Sequence, residues 1–153
     1  MVGGYLLDTC VVSETGKPRP DANVEHWLRH LPAHRIWTSV LVLGELQHGI
    51  ALLEESPRRR ALVAWLGRQR ACFGERCLGI DEAGARAWGD LYAARQRQGR
   101  PLPVIDGLLA ATAIVRGLAL VTRNVTDFAD CGLNLVNPWA GTEQTPADLL
   151  NPP

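Results

Sequence analysis

The stretch that decides the fold is Tyr5-Leu6-Leu7-Asp8-Thr9-Cys10-Val11-Val12, close to the N-terminus. A short apolar run of this kind is typical of a strand buried in a parallel sheet. The run ends in Asp8, and a carboxylate at the end of a buried strand is costly unless it is paired, hydrogen-bonded or bound to a metal ion. Ligands of open α/β sheets bind beyond the carboxyl ends of the strands. Asp8 is therefore either a functional residue or the N-cap of the following helix, a position that favours Asp.

The composition is that of a single globular domain. The chain has 153 residues, of which 46% are hydrophobic and 21% charged, and this size allows one substantial core. Its 16 basic and 16 acidic residues balance, so net charge gives no argument for binding nucleic acid. No apolar run approaches the ~20 residues that cross a bilayer, and no signal peptide is recognisable. The 4 cysteines lack metal-binding spacing, so we expect a cytoplasmic protein with reduced thiols and no membrane association.

Segments with strand and helix patterns alternate along the chain. Short strands are predicted, besides the one at the N-terminus, at 35–38, 77–80, 118–122 and 133–136. Helices are predicted to begin after Asp21, Ser39, Ser56, Asp81 and Pro103. This alternation predicts an α/β fold with a parallel, doubly wound sheet of about five strands and helices on both faces. From Asn137 the chain is rich in Pro, Gly and Thr, so we expect one domain over residues 1–139 and a flexible tail over 140–153.

Two further acids lie on helices that follow predicted strands. Glu45 has mainly apolar neighbours on its helix face, which is unusual for a solvated glutamate, although a place at the helix edge with its carboxylate in water remains open. Asp106 lies in the first turn of its helix, where the N-terminal amides stabilise a carboxylate by ~0.3–1 kcal/mol. Its neighbours Gly107 and Ala110 are small and leave room for a ligand. Both acids are therefore candidates for the same site as Asp8.

Right-handed crossovers bring such positions to one edge of a sheet. We therefore expect convergence of Asp8, Glu45, Asp106 and the loop that carries Asn124 and Asp127. An all-oxygen cluster without His or Cys suits a hard cation, Mg²⁺ or Mn²⁺. Such an ion binds a phosphodiester, lowers the pKa of water and stabilises the leaving oxygen. The sequence has no GxSxG, GxxxxGKS or HExxH motif, which disfavours the usual competing hydrolases and nucleotide-binding proteins.

The order and spacing of these motifs resemble the PIN-domain ribonucleases, and within them the VapC-type toxins of type II toxin–antitoxin pairs, especially the FitB-like branch. The resemblance covers about residues 4–139. It rests on Leu6-Leu7-Asp8-Thr9 with Val12-Ser13-Glu14, Thr38-Ser39 with Gly44-Glu45-Leu46 and Gly49, Asp106-Gly107 with Ala110-Ala111-Thr112-Ala113, Thr122-Arg123-Asn124 with Asp127-Phe128, and Asn137-Pro138-Trp139.

The resemblance implies a PIN-like nuclease domain and a toxin that is a Mg²⁺- or Mn²⁺-dependent endoribonuclease. Such enzymes cut single-stranded or loop RNA, often tRNA or ribosomal RNA. The metal ligands that the resemblance implies are Asp8, Glu45 and Asp106. These residues, together with Asp127, are the catalytic candidates.

The resemblance also implies two protein partners. One is a second copy of the chain, giving a homodimer. The other is a cognate antitoxin whose C-terminal segment wraps the toxin and whose N-terminal domain binds DNA. By this analogy, an apolar groove beside Trp27, Leu28 and the helix over 40–53 is expected to receive an antitoxin helix.

Two positions depart from the family's pattern. Cys10 stands where the family often has Asn or Ser, so we expect a supporting hydrogen bond to be missing. Asn124 stands where a fourth acid often follows Thr-Arg, and Asp127 either replaces that acid, binds through water or caps the turn. In the leading hypothesis, activated water cleaves the RNA, with Thr9, Arg123 and Asn124 near the substrate phosphate.

Two other functions remain compatible with the sequence. The same fold serves equally as a non-catalytic module that binds an antitoxin or RNA. Alternatively, Asp8 is the nucleophile of a phosphotransfer or phosphatase domain. A haloacid-type phosphatase has a second Asp at position 10, where this chain has Cys10, and this disfavours the last alternative.

Overall fold

Residues 3–141 are described by the structure, a computed structural model, and within them five strands alternate with six α-helices. The strands are β1 (Tyr5–Leu7), β2 (Ile36–Ser39), β3 (Cys77–Leu78), β4 (Ala119–Val121) and β5 (Leu135–Val136). The helices are α1 (Thr9–Glu14), α2 (Ala22–Arg29), α3 (Val40–Ala51), α4 (Pro57–Phe73), α5 (Glu82–Arg97) and α6 (Val104–Arg116). Short 3₁₀ turns lie at Ala33–Arg35, Gly74–Arg76 and Pro138–Ala140. Residues 142–153 of the predicted tail lie outside the described part of the chain.

The strands form one parallel sheet in the order β3-β2-β1-β4-β5. At its centre, Tyr5 of β1 pairs with Ile36 of β2 on one side and with Ala119 of β4 on the other. The chain winds outward from β1 to β3 and then crosses back to β4, so right-handed crossovers place helices on both faces. The predicted doubly wound α/β fold is confirmed. Its topological switch point lies beyond the ends of β1 and β4, where a ligand site is expected.

The core packs around β1 and β4, all of whose residues are buried. Helix α6 contributes a buried face of small residues, including Ala110 and Ala113. Its first turn packs against α5 at Gly107, where a Cβ atom would lie 3.0 Å from the Trp88 ring. A larger residue would have to displace that ring, so Gly107 fixes the start of α6 close to α5.

The predicted helix starts are confirmed, and all but that of α6, which follows Pro103, have a side-chain cap. The Leu41 amide donates a hydrogen bond to the Ser39 hydroxyl, and the Arg59 amide donates one to the Ser56 hydroxyl. The Gly84 amide likewise donates to the Asp81 carboxylate. Strand ends differ more: β4 begins at Ala119, one residue later than predicted, because the amide of Leu118 bonds to the Ala113 carbonyl at the end of α6. No helix within residues 3–141 is both long and apolar enough to span a bilayer.

Candidate metal-binding active site

Asp8 lies at the end of the central strand and is 6% exposed. Its Oδ1 accepts the amide of Thr9 at 2.7 Å and thereby caps α1. Its Oδ2 accepts the hydroxyl of Thr122 at 2.7 Å, and Thr122 directly follows β4. Asp8 is therefore the N-cap of α1, as one interpretation of the sequence has it. This does not exclude a functional role, because the carboxylate also lies at the switch point of the sheet.

Glu45 lies in the middle of α3 and is half-buried. Its Oε2 accepts the hydroxyl of Thr9, the residue whose amide binds Asp8. The Glu45 carboxylate therefore has a protein partner, and at half-burial it also keeps contact with solvent. His48, one turn further along α3, is exposed.

Asp106 lies in the first turn of α6, as predicted, and is half-buried. Its pKa is raised from 3.8 to about 6, first by burial and then by the negative charges of Asp8, Glu45 and Asp127. These three charges come from three separate segments of the chain, and Asp106 lies on a fourth. The structure therefore brings the predicted acids within electrostatic range of one another.

The loop after β4 carries the remaining predicted residues. The Asn124 amide donates to the Thr122 hydroxyl at 3.1 Å, and the Asp127 amide donates to the Asn124 carbonyl at 3.1 Å. Asp127 is exposed, and its negative charge acts on Asp106. Arg123 is also exposed, with its guanidinium 5.0 Å from the ring centre of Trp139.

Cys10 and Thr122 contact Asp8 in ways that the sequence did not reveal. The Cys10 thiol donates to Asp8 Oδ2 at 3.7 Å and accepts the Arg123 amide at 3.5 Å. The expectation of a missing hydrogen bond at Cys10 is therefore wrong, although a thiol is a weak donor. Burial raises the pKa of the Cys10 thiol, which favours the protonated form that donates. The sequence feature that points to Thr122 is its hydroxyl group, because Thr122 directly follows the strand that pairs with β1.

The donor chemistry of the acids suits a hard cation. Carboxylate oxygens are the ligands that Mg²⁺ and Mn²⁺ prefer. Burial raises the pKa of Asp106 most, and the like charges that add to this rise are charges that a cation would neutralise. Among residues 3–141, no three His, Cys, Asp or Glu side chains are arranged to hold an ion as they stand. Ligation by Asp8, Glu45 and Asp106 therefore requires side-chain adjustment. A carboxylate has about four lone-pair sites, so the hydrogen bonds that Asp8 and Glu45 accept leave others free for a metal ion.

A groove of about 650 Å³ adjoins this site and is lined by Thr9 and Glu45. Its apolar lining comes mainly from α3, α4 and the turn between them, with Leu46, Gly49, Ile50, Leu53, Ala61, Leu62 and Trp65. The predicted groove beside residues 40–53 is present. Placing it beside Trp27 and Leu28 was wrong, because Trp27 is buried edge-on against Tyr5 and Leu28 packs on the core.

Comparison with known proteins gives a consistent set of relatives. The model of the PIN domain family matches residues 5–131. The VapC ribonuclease Y4jK of Sinorhizobium fredii is 32% identical over 135 residues, which are 88% of this chain and 96% of that protein. Toxin FitB of Neisseria gonorrhoeae is 31% identical over 88% of this chain and 97% of its own length.

Solved structures also match the fold. The crystal structure of FitAcB from Neisseria gonorrhoeae superposes with a TM-score of 0.82 at 31% identity, covering 88% of this chain and 98% of the other. A member of the VapBC family of toxin–antitoxin systems from Mycobacterium tuberculosis gives a TM-score of 0.63 at 26% identity, over 88% and 96% of the two chains.

Asp106→Asn is expected to stabilise the metal-free chain at about pH 8 and to have little effect below about pH 4. Because folding raises the pKa of Asp106 from 3.8 to about 6, the folded state loses stability as the pH rises through that interval. Asn removes the charge and therefore this loss. Thermal unfolding in EDTA at both pH values measures the effect, with the exposed Asp90→Asn on α5 as the control. A lower or unchanged midpoint for Asp106→Asn at the higher pH contradicts the prediction.

Proposed function

Because the chain belongs to the PIN-domain family, and within it to the VapC and FitB toxins, we propose that it is a metal-dependent endoribonuclease and the toxin of a toxin–antitoxin pair. The observation that carries this proposal is the group of acids around Asp106, whose pKa is raised to about 6 first by burial and then by the negative charges of the other three. We propose single-stranded or loop RNA of the tRNA or ribosomal class as the substrate.

Asp8, Glu45 and Asp106 would hold a Mg²⁺ or Mn²⁺ ion. When bound, this ion neutralises charge, acidifies water and polarises the phosphodiester. Thr122 and the Thr9 amide orient the Asp8 carboxylate from two sides. Fixed orientation of this kind supports ligation because metal ligands depend on the groups that hydrogen-bond to them.

Two residues beside the acids are suited to the substrate phosphate. Arg123 is an exposed cation stacked on Trp139, which restricts its side chain, and Arg binds phosphate oxygens well. Thr9 reaches Glu45 through its hydroxyl and lines the adjoining groove. We propose that Arg123 and Thr9, together with Asn124, contact the RNA backbone. A positive side chain at this point would offset the repulsion between RNA and the acids.

Asp8→Asn and Asp106→Asn are each expected to lower RNA cleavage at least ~100-fold, a loss at the upper end of what disturbing a metal site causes. EDTA should abolish cleavage by the unaltered chain. Purified proteins are incubated with tRNA and with single-stranded RNA in Mg²⁺ or Mn²⁺, and products are resolved on gels. The exposed Asp90→Asn is the matched control and should cleave normally.

Equal cleavage by all variants, with or without EDTA, would remove the nuclease proposal. RNA binding without cleavage, and without a shift of thermal stability by Mn²⁺, would favour the non-catalytic module instead.

We further propose that the groove binds a helix of a cognate antitoxin, and that the toxin is a homodimer. The groove is mainly apolar along its length and contains Glu45 at the active site. An amphipathic helix buries its apolar face in such a groove. A partner bound there would lie directly beside the acids and would obstruct RNA.

Leu53→Glu is expected to weaken antitoxin capture at least ~10-fold, because a carboxylate in an apolar interface costs more than the ~1.4 kcal/mol that this factor represents. Leu53 lines the groove but lies beyond the end of α3, so the core should be unaffected. Leu52→Glu is the control, since Leu52 is 72% exposed and does not line the groove. Co-purification with the product of the gene immediately upstream measures capture. Equal retention by both variants would contradict the placement of the partner.

A further inference from the structure

Arg95 is a buried cation that the catalytic hypothesis does not use. It lies near the end of α5 and is 4% exposed. One guanidinium nitrogen donates to the Ala129 carbonyl at 2.9 Å, and the other terminal nitrogen reaches the Asp127 carbonyl at 3.3 Å. Its Nε is buried without a hydrogen-bond partner. Within residues 3–141 no carboxylate forms an ion pair with it.

Burial of an unpaired charge is costly, and an apolar side chain of similar size often packs as well or better. The compensation for Arg95 comes from two carbonyl groups of one loop, at Asp127 and Ala129. The rigid fork of a guanidinium is suited to bridging two such acceptors, which the point charge of Lys is not. The contacts of Arg95 therefore define the path of the loop backbone.

The loop that Arg95 holds is the one that carries Asp127. It starts at Thr122, which binds Asp8, and its turns are closed by amide hydrogen bonds from Asp127, Ala129 and Cys131. The Asp127 side chain is exposed, and its amide donates to the Asn124 carbonyl at 3.1 Å. The Asn124 amide in turn donates to the Thr122 hydroxyl at 3.1 Å, so hydrogen bonds connect this loop to Asp8. One of the two backbone carbonyls that Arg95 binds thus belongs to Asp127, on the loop that is connected to Asp8.

We propose that Arg95 is a positioning residue that holds Asp127 at the metal site, where Asp127 supplies the fourth acid in place of Asn124. This inference rests on the proposed metal-dependent function. A guanidinium on α5 thereby acts through the loop backbone rather than on the substrate. The loop needs such support because its acid is exposed and comes three residues after Asn124, the position that directly follows Thr-Arg.

Arg95→Gln is expected to weaken Mn²⁺ binding ~10-fold, as changes behind metal ligands do. Asp127→Asn, which removes the acid that Arg95 positions, is expected to weaken it by at least the same factor. If Arg95 acts through Asp127, the double variant binds Mn²⁺ no more weakly than the weaker single variant. Isothermal titration of the metal-free chain with Mn²⁺ measures these affinities. In parallel, hydrogen exchange of the metal-free Arg95→Gln chain should show lost protection confined to the amides of residues 127–131. Arg97→Gln, an exposed change on the same helix, is the control.

Additive losses in the double variant, or unchanged Mn²⁺ affinity in a folded Arg95→Gln chain, overturn the inference. If Arg95→Gln does not fold, Arg95→Lys decides, because it keeps the charge but loses the fork. Weaker Mn²⁺ binding by Arg95→Lys than by the wild-type chain supports the inference, and wild-type affinity overturns it. The variant Asp8→Asn separates the two proposals. If Asp8→Asn still binds Mn²⁺, the proposed metal function is wrong. If Asp8→Asn loses Mn²⁺ binding while Arg95→Gln keeps it, only the role of Arg95 is wrong.

Discussion

The carboxylate of Asp8 is held by hydrogen bonds from the start of α1 and from the residue that follows β4. The Thr9 amide binds one oxygen and the Thr122 hydroxyl binds the other, each at 2.7 Å. A buried charge of this kind is tolerated only with such partners. Because Thr9 also binds Glu45 and Thr122 also begins the loop of Asp127, the hydrogen bonds of Asp8 connect the other segments of the candidate site.

The same arrangement places like charges close together, which opposes folding. The pKa of Asp106 is raised first by burial and then by the negative charges of three other carboxylates, so both burial and repulsion disfavour its ionised form. The apolar core formed by the buried strand β4 and the small residues of α6 packs behind these acids and stabilises the fold that holds them. Sites that store such repulsion are usually functional, since structure elsewhere must compensate for it.

The fold and the acids were predictable from sequence because both follow from local patterns. Alternating strands and helices predict the parallel sheet, and acids placed just after strands converge through right-handed crossovers. Three features were not predictable in this way: the Cys10 thiol donates to Asp8, the Thr122 hydroxyl binds Asp8, and Arg95 is buried. Each depends on which strand or loop lies beside it in space, and Arg95 is followed in the sequence by the polar, exposed residues 96–100, which give no sign of its burial. Trp27 was misplaced for the same reason, since helical spacing does not reveal that its ring packs on Tyr5.

The most direct test is a crystal structure of the chain soaked with Mn²⁺, with anomalous data that locate the ion. The predicted result is a peak at the carboxyl ends of β1 and β4, coordinated by oxygens of Asp8, Asp106 and Glu45. A well-ordered active-site region without a peak there, or a peak bound only by other residues, would contradict the assignment of these acids as the metal site.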